Sequence, residues 1–112
     1  MTRDDFKCPC CGENDISDEL VDKVKAIESE CGVKFHINSG FRCDKHNQEV
    51  GGSPTSSHLV GLAADIGCTS DKIRFSITKN AIAEGVSRLE LKPTWVHVDI
   101  DTSKTQGVIW LI

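Results

Sequence analysis

The sequence predicts a small fold that mixes helix and strand, and three observations carry this. Apolar residues recur at helical spacing over residues 17–30 and 72–84, and they alternate at strand spacing over 33–38, 86–91, 95–100 and 108–112. Between the first strand and the second helix, residues 39–57 are rich in Gly and Ser, with one short helical turn near Lys45 to Val50; so much irregular chain in a small domain usually builds a site. With 112 residues, 38% of them hydrophobic and 27% charged, the chain is long enough for one domain with a modest core. The expected organisation is a single domain over residues 1–112, with a Cys-rich segment, 1–16, packed on it.

Each element has a local cause. Ser17 can cap the first helix, Asp18 and Glu19 suit the positive end of its dipole, and Leu20, Val24, Ile27 and Cys31 form its buried stripe. Gly32 suits a left-handed stop. Val33, Phe35 and Ile37 then alternate with Lys34, His36 and Asn38 as a strand. Ser70 or Asp71 caps the second helix, whose stripe is Ile73, Ile77 and Ala81 and whose stop is Gly85. The strands Val86 to Leu91 and Trp95 to Ile100 flank Lys92-Pro93-Thr94 and predict an antiparallel hairpin. With Val96, Val98 and Ile100 facing the core, Trp95, His97 and Asp99 share the other face, where hairpin closure brings Arg88 and Glu90 beside His97. Val108 to Ile112 is a last strand in which Trp110 is read as packing.

Composition narrows the function. A net charge of −4 offers no footprint for phosphate backbones, so nucleic acid is not an expected partner. No apolar run approaches the roughly 20 residues of a membrane span, and residues 1–6 lack the apolar core of a secretory signal. The expectation is a monomer made in the cytoplasm, where it stays unless something else releases it. Six cysteines in such a setting read as thiols or metal ligands before disulfides. Cys8 and Cys11 form a Cys-x-x-Cys-Gly knuckle, which Cys43 and His46 would complete as a structural zinc site; buried thiols or a disulfide are the alternatives.

Two distant segments carry the chemistry. Ser57-His58-Leu59-Val60-Gly61-Leu62-Ala63-Ala64-Asp65 and Trp95-Val96-His97-Val98-Asp99 together supply two imidazoles and carboxylates, a donor set that suits a catalytic zinc with one open position. Arg42, at a strand end, suits a carboxylate.

Taken in order, Ser39-Gly40-Phe41-Arg42, His46-Asn47, Val50-Gly51-Gly52, the His58 to Asp65 motif and Trp95 to Asp99 resemble the zinc D-alanyl-D-alanine carboxypeptidase family, which includes phage L-alanyl-D-glutamate endolysins and shares its zinc site with the hedgehog signalling domain. The resemblance spans about residues 38–101. It implies an α+β fold with a small central antiparallel sheet and helices packed on one side. It implies zinc ligation by His58, Asp65 and His97, and substrate contact by Arg42 and Ser57. Its activity would be hydrolysis of peptide bonds in peptidoglycan stem or cross-linking peptides; the alternative is a hedgehog-like zinc module without catalysis. Trp95 and Thr94 stand where many members carry the catalytic acid/base, which leaves Glu90 and Asp99 as candidates from strand-face geometry.

Overall fold

The computed structural model describes residues 1–111; Ile112, the last residue of the expected final strand, lies outside the described residues. The fold is α+β, with three helices, α1 (Asp18–Cys31), α2 (Asp44–Glu49) and α3 (Asp71–Ala83), and five strands in one sheet. The strands are β1 (Ile37–Ser39), β2 (Ala63–Gly67), β3 (Arg88–Leu91), β4 (Trp95–Asp99) and β5 (Val108–Leu111), in the order β1-β2-β4-β3-β5. The first four pair antiparallel, and β5 joins β3 in parallel at the edge, which makes the sheet mixed.

The caps act as their side chains dictate. Ser17 accepts a hydrogen bond from the Leu20 amide and Ser70 one from the Ile73 amide, while Gly32 closes α1 at φ 68°. One face of the sheet, through Ala64, Ile66, Leu89, Val96 and Val98, joins Leu20, Val24 and Ile27 of α1 and Ile77 and Ala81 of α3 in a single core. Phe6, Cys8 and Ile16 from the N-terminal segment belong to the same core. Full burial of each such aliphatic or aromatic side chain contributes roughly 1.5–3 kcal/mol before chain entropy is opposed to it.

Three boundaries differ from the sequence expectation. The strand expected from Val33 begins only at Ile37, because Val33 is exposed and the Phe35 amide donates to the Glu28 carboxylate (2.8 Å) instead of to a neighbouring strand. Strand β3 begins at Arg88 rather than Val86, whose amide is still bonded to Ala81 at the end of α3. Strand β4 ends one residue before Ile100, whose amide turns to the Leu62 carbonyl. No helix among the described residues is long and apolar enough to cross a membrane.

Candidate metal centre

The face of the sheet opposite α1 and α3 carries the polar residues. Register alone lines them up: Ser39 pairs with Asp65, Asp65 with His97, His97 with Glu90, and Glu90 with Trp110, one row across all five strands. His58 comes from outside the sheet, on a 3-10 turn over Ser57–Val60 that Ser56 caps. Gly61 ends that turn at φ 72°, packed so closely on the Asp15 carbonyl that no side chain fits, and releases the chain into β2. His58 and Asp65 thereby reach the same point from two consecutive elements.

Here His58 Nε2 lies 3.4 Å from Asp65 Oδ2, and His97 Nδ1 lies 2.9 Å from Asp65 Oδ1. One ligand atom from each of the three residues falls within 4.8 Å of the others, so the group could hold a metal ion. Donors about 2.0–2.1 Å from a tetrahedral zinc stand about 3.3 Å apart, so small side-chain adjustments suffice to bring the three onto one ion. The remaining imidazole nitrogens are held as a metal site requires: His58 Nδ1 donates to the Gly40 carbonyl at 2.7 Å, and His97 Nε2 sits 3.1 Å from Asp99 Oδ2.

The electrostatics follow from burial among opposite charges. Burial disfavours the ionised Asp65, yet hydrogen bonds from His58 and His97 outweigh it and hold the carboxyl far below the usual range. Burial likewise opposes charge on His97, but its hydrogen bonds to Asp65 and Asp99 raise its pKa to about 9. Asp99 is driven down, against burial, by His97 and the Asp101 amide. A divalent cation held by the trio would compete with the proton that His97 shares with Asp65 and Asp99.

A cavity of about 450 Å³ opens over this face, walled by Arg42, Ser57, Glu90, Lys104 and Trp110 around the three ligands. Arg42 is fixed by four contacts: Nε donates to Ser39, Nη1 to Asn47, Nη2 lies 3.5 Å from Asp65 Oδ2, and its amide donates to the His58 carbonyl. Burial lowers its pKa and Asp65 opposes the shift. The Ser57 hydroxyl donates to Asp101 (2.9 Å) and accepts from Lys104 (3.0 Å). Glu90 faces the cavity with a lysine, Lys92, 3.7 Å away. Asp99 is almost fully buried and saturated by His97, Arg88 and the Asp101 amide.

Sequence reasoning missed Trp110 as a site residue. Its ring packs tilted by 60° against His97 with centroids 5.6 Å apart and lies under the Arg88 guanidinium at 5.0 Å. Only the parallel pairing of β5 brings it there, and no local pattern announces that pairing. Lys104 was also missed. Of the residues expected at a second metal, Cys8, Cys11 and Cys43 do converge, joined by Cys10. His46 stands outside that group: its amide donates to Cys43 Sγ (3.4 Å), and the residue lines a different hollow, shared with Asn38, Arg42 and Trp95.

Among known proteins, the family described as Peptidase M15 matches residues 2–99 of this chain. No curated protein matches it.

Proposed function

The chain belongs to the peptidase M15 family, and from that premise we propose that it is a zinc-dependent hydrolase of peptide bonds in peptidoglycan stem or cross-linking peptides, of the D-Ala-D-Ala carboxypeptidase or L-Ala-D-Glu endopeptidase type. The observation that carries this reading is the convergence of His58, Asp65 and His97 on the floor of a cavity wide enough for a short peptide. Zinc, when bound, supplies a water acidified to a pKa of about 7 and a polarised scissile carbonyl. Everything else falls to side chains.

Glu90 is the general base and acid. It is the carboxylate on the cavity wall directly across the strand pair from His97, and among the described residues Lys92 is its one ion-pair partner. It takes one proton from the attacking water and gives one to the departing amine nitrogen, so that the peptide C–N bond breaks as a carboxylate and an amine form. Asp99 has both oxygens engaged and is a positioning residue: by accepting from His97 Nε2 it would leave Nδ1 free to hold a metal. Arg42 sets a fixed positive charge beside the ligands, where it meets either the developing oxyanion or a substrate carboxylate. Ser57 contributes through Lys104, whose ammonium it holds at the cavity rim as a second cation for an anionic peptide.

Mass spectrometry of purified peptidoglycan fragments, incubated with zinc-loaded protein and with chelator-treated protein, tests the reading and identifies the bond. Loss of D-Ala, or scission between L-Ala and D-Glu, is the expected result. Zinc bound at the trio with fragments left intact would instead assign the chain to the non-catalytic, hedgehog-like alternative.

A further inference from the structure

We propose that Cys8, Cys10, Cys11 and Cys43 bind a second zinc ion, in a closed four-thiolate site that clamps the N-terminal segment to the strap of residues 40–43 behind the catalytic cavity. The four Sγ atoms lie within 4.8 Å of one another. Individual separations are 3.6 Å for Cys8–Cys10, 3.7 Å for Cys8–Cys43 and 3.3 Å for Cys10–Cys43. Thiolates about 2.3 Å from a tetrahedral zinc stand about 3.8 Å apart. A disulfide needs about 2.05 Å, and all six cysteines are free.

Packing does not account for the convergence. Cys8 is buried in the core, but Cys10 and Cys11 are exposed and remove little apolar surface from water. What gathers them is backbone: Cys8 N donates to the Glu13 carbonyl and Gly12 N to the Cys8 carbonyl, a knuckle that Gly12 permits at φ 77° and that turns three neighbouring thiols to one side. Cys43 meets them from 32 residues beyond Cys11, on the chain that leaves β1. Four sulfurs complete the tetrahedron and leave no position for a substrate, so the site is structural.

Its place in the fold gives it a task. Gly40 orients His58 through its carbonyl, the Phe41 amide is bonded to the Phe6 carbonyl, Arg42 reaches Asp65, and Cys43 belongs to the cluster. Four consecutive residues are thus tied alternately to the catalytic side and to the N-terminal segment.

Metal content per chain, measured on protein purified under reducing conditions, is the test. Wild type should carry two zinc ions, the double variant His58→Ala/His97→Ala one, and Cys10→Ser/Cys43→Ser one; His46→Ala should retain both. Cobalt replacing zinc in His58→Ala/His97→Ala should give a sulfur-to-cobalt charge-transfer band and the intense visible absorption of a tetrahedral thiolate site. Should the cysteine double variant fail to fold, alkylation of wild type decides: the four thiols should be protected when zinc is bound and modified after chelation. A single zinc in wild type that Cys10→Ser/Cys43→Ser retains, a cobalt spectrum without the sulfur band, thiols alkylated equally in both states, or an unreduced mass lower by four hydrogens would each overturn the proposal; a single zinc that the cysteine double variant loses would instead leave this site standing and count against the trio.

Discussion

His97 concentrates the physics of the site in one ring. Flanked by Asp65 and Asp99, it holds its proton in the metal-free protein up to about pH 9, above the usual histidine value near 6.5. A folded-state pKa raised above the unfolded one stabilises the metal-free fold fully below about pH 6.5, and that contribution is lost as pH rises through about 9. Zinc must displace this proton, so uptake at the trio should release about one proton between these limits and weaken as pH falls; calorimetry in two buffers of different ionisation enthalpy measures the release. Asp99→Asn removes the charged acceptor of His97 Nε2 and should weaken zinc binding by about 10–100-fold, as losing such an outer partner typically does. Glu90→Gln should keep its zinc and lose about 10²-fold or more in turnover. Equal turnover in Glu90→Gln and wild type would remove Glu90 from the mechanism.

Among the elements, those set by local chemistry match the sequence reading, and those set by distant pairing depart from it. Helices α1 and α3 follow from a serine cap and an apolar stripe, and the His97–Glu90 juxtaposition follows from a two-residue period and a short hairpin. The family resemblance implied His58, Asp65 and His97 as a ligand set, and the fold brings these three together. By contrast, nothing near Val108 announces that β5 will pair in parallel with β3, so Trp110 looked like packing and is a wall of the cavity. Nor does the Cys8–Cys11 spacing reveal that the turn closed by a left-handed Gly12 brings the exposed Cys10 thiol beside Cys8 and Cys43, which is why His46 was expected in its place. Two substitutions probe these elements. Trp110→Ala should leave zinc content unchanged while raising KM roughly 2- to 10-fold, the equivalent of an aromatic contact of about 0.5–1.5 kcal/mol. Gly61→Ala places a methyl against the Asp15 carbonyl at a φ that L-residues avoid; a loss of about 1–3 kcal/mol is expected in denaturant unfolding.

For the molecule as a whole, metal and fold are linked by mass action, since the unfolded chain presents the trio at no fixed distance. Unfolding midpoints should therefore rise with free zinc, by about 1.4 kcal/mol for each tenfold excess over the dissociation constant, and fall on chelation. The sheet order adds a consequence in time. Asp65 lies on β2 and His97 on β4, strands that sit side by side in space yet are separated in the chain by α3 and β3. Hairpins and helices close in microseconds, whereas such non-local pairings come late. The metal site therefore has no existence as a site until the central strands have met, and its completion is a clock for that event. In refolding with cobalt present, quenching of Trp110 by a metal beside His97 should lag behind the far-ultraviolet signal of the helices, dating the moment at which the two halves of the chain first recognise each other.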